Sequence, residues 1–376
     1  MRAAILSILV LGALAGTAAA YPQFLSRDQT CTGCHISPAG GTLLNENGLS
    51  TAETISQFGT SPEFFYGAKL PAWLTLGGDL RGAVGEFSTP DQFLYAFPMQ
   101  LEAYAHVSFS HISLHATFGG RKAPLNGSGG VDDYLWSREH YLMYQQNVGE
   151  GHGLYVRGGR FMPVFGLRLA EHVSYARRYG GTPLYAEAYG VAVEKVEPGY
   201  EVHATGFIAD PLNGAENDSG GAVVGELRPK EIVSVGLEAM YTQSDDDKKF
   251  RIGALGRFYV PAADILVQAE IQYVNQLVDA RMGGGDFGEL GAPKGIVGYL
   301  MGSRNLGDSI LVDIGLGHYD ENVRIKNLDR DCVDLNVHWF ATSHFELVLN
   351  SRYEMLAFGS GGDSGAFAML QGHYRL

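Results

Sequence analysis

The chain has 376 residues, 45% of them hydrophobic, and a formal net charge of −14, with 27 Lys and Arg against 41 Asp and Glu. That acidic balance argues against nucleic acid as a partner, because binding phosphates requires a basic surface. The 51 glycines are roughly twice average usage, aromatic residues reach 11%, and charged residues are only 18%, so the composition indicates an all-β chain and excludes disordered and helical membrane classes.

The first 20 residues have the pattern of a secretory signal peptide. Arg2 is a minimal basic region, Ile5–Leu14 is a short apolar core, and Ala18-Ala19-Ala20 resembles a cleavage site. The apolar stretch is too short to span a bilayer comfortably. We therefore predict that residues 1–20 are removed and that the mature chain, from about Tyr21, lies outside the cytoplasm.

Two of the three cysteines belong to an attachment motif for a c-type haem. Cys31-Thr32-Gly33-Cys34-His35 has the C-x-x-C-H spacing. Two thiols about one turn apart can add to the two haem vinyl groups, and the adjacent histidine then lies under the iron as its axial ligand. The sequence predicts one covalent haem c on Cys31 and Cys34, with His35 ligating the iron.

Two other interpretations of the cysteine pair are weaker. A zinc site would need a second ligand pair nearby, and residues 36–70 contain neither Cys nor His. A thioredoxin-like redox pair would need a βαβ context, which the segment lacks. The third cysteine, Cys332, is interpreted as a buried or unpaired thiol.

Residues 21–70 are predicted to form a small monohaem cytochrome c-like module. Pro38 and the pair Gly40-Gly41 indicate a loop. Ser50-Thr51-Ala52-Glu53 is a capping box for a short helix that Gly59 would end after about Phe58. Such a module is too short to bury a core of its own, so the haem or a surrounding wall must supply the missing apolar contact.

The distal ligand of the iron is not visible in this module. His35 is the only histidine between residues 21 and 98, and no methionine occurs there. The iron is therefore either five-coordinate or weakly ligated, or it takes a ligand from the rest of the chain.

Residues 71–376 alternate apolar and polar positions in segments of roughly ten residues, separated by Gly, Pro, Asn and Asp turns. Along 101–109, for example, the apolar residues share one face, and Glu102 and His106 belong to the other. The predicted strands number about sixteen: 73–86, 94–108, 111–119, 135–146, 152–161, 184–196, 199–209, 220–229, 231–242, 250–260, 263–276, 295–303, 309–319, 332–341, 344–356 and 366–376.

The joins between these strands alternate in length. The short joins lie near 110, 147–151, 197–199, 229–230, 261–262, 304–308 and 342–343. The long joins lie near 121–134, 162–183, 210–219, 243–249, 277–294, 320–331 and 357–365. An even strand number with short turns at one end and long loops at the other is typical of bacterial outer-membrane barrels. We predict an antiparallel transmembrane β-barrel with both termini in the periplasm; a soluble β protein is the alternative.

Aromatic residues near the predicted strand ends suit the girdles of a membrane barrel. They are Trp73, Phe109, Phe118, Trp136, Tyr185, Tyr299, Trp339 and Tyr374. Their other interpretation is that they are core aromatics of a soluble β protein.

Strand parity also predicts which side chains line the lumen. Seven histidines are expected to point inward: His106, His111, His115, His203, His338, His344 and His373. One of them could complete the coordination of the haem iron, or several could bind metal. The alternative is that these histidines have no ligand role and occur there because a hydrated lumen accepts polar side chains. The loop 162–183 is expected either to fold inward as a constriction or to lie on the surface.

Acidic residues concentrate in the expected long loops, where they are either solvated or attract hard cations such as Fe²⁺. They are Asp132, Asp133, Asp210, Glu216, Asp218, Asp245, Asp246, Asp247, Asp286, Glu289, Asp320, Glu321, Asp329 and Asp331.

The haem motif and its surroundings resemble a known family. Pro22-Gln23-Phe24, the motif 31–35, Pro38, Leu44-Asn45 and Gly48 precede about sixteen strands. This arrangement resembles the fused monohaem cytochrome–porins of bacterial outer membranes, which include iron-oxidising cytochromes. The resemblance covers the mature chain in architecture and residues 22–48 in motif; the Gly40-Gly41 insertion and the short chain depart from it.

The resemblance implies a haem in or at the mouth of the barrel that passes electrons between an extracellular donor or acceptor and periplasmic c-type cytochromes. An iron(II)-oxidising activity is one version of this function. The alternative is a solute porin whose haem module is a plug or a redox sensor. A soluble periplasmic β-sandwich carrying a haem is a third hypothesis.

Overall fold

The computed structural model describes residues 30–41, 43–59, 70–88, 93–120, 135–171, 173–184, 186–209, 218–244, 247–279, 292–356 and 364–376. The predicted signal peptide lies outside these residues, as do Tyr185 and most of the acidic positions expected in long loops. None of the described helices is both long and apolar enough to cross a membrane.

The described chain is mostly strand. After a turn of 3₁₀ helix at Cys31–Gly33, it contains helices α1 (Glu46–Ile55) and α2 (Tyr175–Arg178). The strands are β1 (Leu74–Ser88), β2 (Phe93–Phe109), β3 (Ile112–Gly120), β4 (Leu135–Trp136), β5 (His140–Gln145), β6 (Gly153–Phe161), β7 (Ala188–Glu197), β8 (Tyr200–Ile208), β9 (Ser219–Lys230), β10 (Val233–Gln243), β11 (Asp247–Val260), β12 (Ile265–Asp279), β13 (Lys294–Asn305), β14 (Ile310–Asp320), β15 (Asp329–Thr342), β16 (Phe345–Leu356) and β17 (Ser364–Arg375).

The strands close into one antiparallel barrel. Each strand pairs with the next along the chain, except that β4 and β5 both pair with β3, and β1 also pairs with β17, so the described sheet has no free edge. β4 and β5 both pair with β3, with registers that differ by one residue (Gly119↔Trp136, but Ala116↔His140). They are two halves of one strand interrupted at 137–139, and the barrel therefore has sixteen strands, which confirms the predicted fold.

Alternating burial separates the wall into two faces. Along β8, Glu201, His203 and Thr205 are buried, whereas Val202 and Ile208 between and beyond them are exposed. The same holds around the barrel: large apolar side chains cover the outside, and charged and polar side chains fill the inside. A soluble sandwich would bury its apolar face; here that face is the outer surface, as in barrels that meet lipid.

The connections divide the barrel into two ends. Short turns, such as 110–111, 198–199, 231–232 and 343–344, lie at the end where β1 begins and β17 finishes. The longer connections, such as 162–187, lie at the other. We call these the short-turn end and the long-loop end. The predicted long join at 243–249 was wrong, because β10 continues to Gln243 and β11 already begins at Asp247.

The connection between β6 and β7 folds into the lumen. Phe165, Leu167, Leu169 and Tyr175 on it are 0–2% exposed. Its backbone is held by carboxylates of the wall: the N–H of Gly166 donates to Glu238 (2.8 Å), and the N–H of Leu167 donates to Glu270 (2.7 Å). The inward constriction is therefore confirmed, and the surface-loop alternative is wrong. We call residues 162–187 the inner loop.

Some predicted orientations were wrong. His111 lies exposed in the turn after β2, and His344 is half-buried in the turn before β16, so neither lines the lumen. Strand parity does not continue through a turn, because turn residues leave the pleated geometry.

Two of the expected girdle aromatics also point inward. Tyr299 is 4% exposed and donates to Asp334 (2.9 Å). Trp136 lies under the guanidinium of Arg160, 4.1 Å from the ring centroid. Trp73 and Phe109 do lie at the short-turn end, where their rings stack 6.2 Å apart on the outside.

Candidate functional site

The C-x-x-C-H motif forms a tight turn. The N–H groups of Cys34 and His35 both donate to the carbonyl of Cys31 (3.2 and 2.8 Å), which brings the two cysteines onto one turn. Both are buried, and this burial raises the pKa of each thiol. The thiols are therefore neutral at neutral pH, which disfavours a thiolate zinc site.

The imidazole of His35 is oriented by the loop that follows it. Its Nδ1 lies 2.9 Å from the carbonyl oxygen of Gly41. A carbonyl oxygen only accepts, so Nδ1 carries the proton, and Nε2 is the nitrogen that would bind a metal. Histidine ligands of metals commonly hold their second nitrogen in this way.

The same loop requires glycine. Gly40 and Gly41 have φ of +82° and +75°, a left-handed conformation that other residues adopt at a cost. A Cβ on Gly40 would lie 3.4 Å from Sγ of Cys31 and 4.0 Å from the ring of His35. Gly40 and Gly41 thus allow the loop to pass close to the side chains of Cys31 and His35.

Helix α1 packs directly on the motif. Its N-cap is Asn45, whose side chain accepts from the N–H of Gly48 (2.9 Å) and donates to the carbonyl of Thr32 (2.9 Å). The predicted capping box at Ser50 was wrong, because α1 begins at Glu46 and Ser50 lies inside it. The helix ends at Ile55 rather than near Phe58.

Residues 30–59 are docked on the barrel at its short-turn end. The hydroxyl of Thr32 donates to the carbonyl of Gly151 (2.5 Å), in the turn between β5 and β6. The N–H groups of Gln57 and Phe58 donate to the carbonyls of Phe340 and Ala341 on β15 (2.9 Å each). The wall thus supplies contacts that so small a module cannot make alone.

The loop after the motif reaches inside the lumen. Ile36 packs against a cluster on β5, β6 and β7 that includes Tyr141 and Phe161, and Ala39 packs against the apolar cluster of the inner loop. Ser37 lies 3.4 Å from the guanidinium of Arg157. The motif therefore faces the interior of the barrel between the wall and the inner loop.

Charged pairs cross the lumen beside the motif. Arg168 of the inner loop forms an ion pair with Glu201 on β8, and both are close enough to influence Cys31 electrostatically. Arg157 makes two 2.8 Å hydrogen bonds to Glu194, and both side chains are essentially inaccessible. Paired in this way, the buried charges are compensated and the interior is held in one arrangement.

Five of the seven histidines predicted to point inward do so: His106, His115, His203, His338 and His373 are 1–7% exposed. His373 lies between Asp79 (2.7 Å) and Glu346 (2.8 Å), and His203 lies 3.1 Å from Glu194. His338 lies near Glu171 of the inner loop and Asp313 of β14. Sequence reasoning missed Glu171, because only the inward fold of its loop places it there.

No protein-family model matches the sequence, and no curated protein does. Solved structures of outer-membrane barrels do match. Outer-membrane expressed OmpT of Vibrio cholerae matches with a TM-score of 0.58 at 12% identity, over 81% of this chain and 97% of that one.

Two further solved structures give similar values. The anion-selective porin from Comamonas acidovorans has a TM-score of 0.56 at 14% identity, over 81% of this chain and 99% of that one. OprB of Pseudomonas putida has a TM-score of 0.56 at 12% identity, over 81% and 94%. At such identities the likeness concerns the fold alone, which is that of an outer-membrane porin-like β-barrel.

Proposed function

We propose that this protein is an outer-membrane electron-transfer protein that carries one covalent haem c in its barrel. The observation that carries the proposal is that Cys31-Thr32-Gly33-Cys34-His35 is docked on the barrel beside its lumen, with both thiols buried and with His35 held at Nδ1 by Gly41. An insulating barrel gains a redox station in this way at the mouth of its lumen.

The residues of the motif fit a haem. Cys31 and Cys34 would hold it through thioether bonds, and His35 would ligate its iron through Nε2. When bound, the haem supplies one-electron redox chemistry. Thr32 and Asn45 keep the motif attached to the barrel and to α1, and the inner loop closes off the lumen beside Cys31.

We place the protein in the bacterial outer membrane, with both termini and the short-turn end in the periplasm. The apolar outer surface and the porin fold support the membrane, and the predicted signal peptide supports export. With this orientation the motif would lie at the periplasmic end, within reach of a periplasmic c-type cytochrome. An extracellular electron donor, of which Fe²⁺ is the one we test, would approach from the long-loop end.

A second candidate function is a solute porin in which residues 30–59 act as a plug or redox sensor. The comparisons favour it at the level of the fold, because the matched structures include porins. The filled lumen opposes it: Phe165, Leu167 and Tyr175 of the inner loop lie buried inside the barrel together with the loop after the motif.

Purified full-length protein in vesicles separates these functions. A soluble c-type cytochrome is enclosed, and Fe²⁺ is added outside; for electron transfer we expect reduced haem bands first and then reduction of the enclosed cytochrome. A Cys31→Ala/Cys34→Ala variant controls for leakage and should reduce nothing. If the haem is never reduced at any pH and planar bilayers show steady ion conductance, the electron-transfer proposal is overturned and the porin function is supported.

A further inference from the structure

A histidine and two carboxylates meet inside the barrel, apart from the haem motif. Glu171 belongs to the inner loop, Asp313 to β14 and His338 to β15, and one possible ligand atom from each lies within 4.8 Å of the others. Asp313 is fully buried, and the side chains of His338 and Glu171 are 2% and 9% exposed. Three separate parts of the chain thus place one nitrogen and two oxygen ligands around one point.

The spacing differs from that of an ordinary ion pair. Nε2 of His338 lies 3.4 Å from Oε1 of Glu171 and 3.4 Å from Oδ2 of Asp313. Charge-assisted hydrogen bonds are about 2.7–2.9 Å long. A tetrahedral ion with bonds of about 2.1 Å to nitrogen and oxygen separates its ligands by about 3.4 Å, so both separations from Nε2 of His338 match those of ligands around such an ion, and the two carboxylate oxygens lie within 4.8 Å of each other.

A second lumen histidine provides an internal comparison. His373 also lies between two carboxylates, but at 2.7 Å from Asp79 and 2.8 Å from Glu346. Those distances are direct hydrogen bonds, which leave no room for an ion. The wider set around His338 therefore differs from the hydrogen-bonded set around His373.

Glu171 provides a second, independent observation. Its Oε2 is buried and has no hydrogen-bond partner among the described residues. A buried carboxylate oxygen without a partner is costly, because burial removes the water that would otherwise solvate it. A bound cation would satisfy this oxygen, and a divalent ion would also neutralise the two carboxylates beside a neutral imidazole.

We propose that Glu171, Asp313 and His338 form a binding site for a divalent first-row transition-metal ion in the lumen. One imidazole and two carboxylates suit ions such as Zn²⁺, Fe²⁺ or Co²⁺, whereas Ca²⁺ and Mg²⁺ prefer oxygen ligands alone. The site joins the inner loop to the wall, two residues from the β15 carbonyl that accepts the N–H of Gln57. A bound ion would thus also hold the inner loop in place.

The test is equilibrium dialysis of the folded full-length protein in detergent against Zn²⁺, which is redox-silent. Wild type should retain one Zn²⁺ per chain. Glu171→Gln and Asp313→Asn each remove one ligand charge and should weaken binding at least about tenfold, since even indirect partners of a ligand contribute 10–100-fold. Glu346→Gln is the matched control and should bind like wild type, because Glu346 faces His373 instead.

Each variant must keep the heat-modifiable gel mobility of the folded barrel, and either ligand variant alone suffices if the other misfolds. Equal affinity in wild type, Glu171→Gln and Asp313→Asn overturns the site, as does a wild type that retains no Zn²⁺. The inference does not depend on the proposed haem. Dialysis measures Zn²⁺ only, so failure of the metal site and failure of the electron-transfer function are distinguishable.

Discussion

The packing of α1 on the haem motif predicts the effect of Gly48→Ala. A Cβ at this position would lie 2.2 Å from the carbonyl oxygen of Cys34 and 3.0 Å from its carbon. The obstacle is backbone, so either the helix or the motif must move. Overpacking of this kind costs about 1–3 kcal/mol.

Two further effects change the free energy of unfolding of the module. Moving the helix weakens the hydrogen bond from the N–H of Asn45 to Cys34 (2.9 Å), which contributes about 1 kcal/mol. Replacing glycine by alanine inside a helix by itself stabilises the helix by about 1 kcal/mol. The net loss is about 1–3 kcal/mol, which lowers the ratio of folded to unfolded module at least about fivefold.

The assay is denaturant unfolding of the full-length protein, followed by haem absorbance for the module and by heat-modifiable mobility for the barrel. Gly48→Ala should unfold the module at lower denaturant and carry less haem per folded barrel. Gly33→Ala is the matched control within the motif, because nothing lies within 4 Å of its added Cβ. Wild-type haem content and module stability in Gly48→Ala would refute the packing argument.

Three other changes test the barrel and its lumen. Arg157→Leu leaves the buried carboxylate of Glu194 without the guanidinium that pairs with it, which should lower the free energy of unfolding by about 3–5 kcal/mol. Urea unfolding in detergent measures this change, and a decrease under about 1 kcal/mol would contradict the buried pair. Leu237→Arg places a charge on an outer side chain that is 71% exposed; for a lipid-facing position the cost is about 2–4 kcal/mol on folding into bilayers, and an unchanged yield would argue that this surface meets water. Glu238→Ala/Glu270→Ala removes both acceptors of the inner loop, so single-channel conductance in planar bilayers should rise, whereas unchanged conductance would mean that the loop holds without them.

The alternation of the sequence was sufficient to predict the barrel. All sixteen predicted strands occur, with ends that differ from the predictions by a few residues. They were recognisable because most of the inward carboxylates and histidines are followed by an apolar residue facing out. Parity failed where the pleat stops: His111 and His344 lie in turns. The sequence pattern also did not show that Tyr299 points inward, where its hydroxyl donates a hydrogen bond to Asp334.

The candidate sites were predictable only in part. The haem motif is local, so five consecutive residues were enough to suggest its chemistry. The N-cap of α1 was missed because Ser50-Thr51-Ala52-Glu53 also fits a capping box, although Asn45 is a favoured N-cap residue and accepts from the N–H of Gly48. Glu171 meets His338 only because the inner loop turns inward, and that turn depends on Glu238 and Glu270 more than sixty residues away in the chain.

The covalent haem is the central claim, and the mass of the intact purified protein after denaturation tests it most directly. The account predicts a mature chain heavier by one haem, with a single reactive thiol at Cys332. A chain of unmodified mass with three reactive thiols would contradict it.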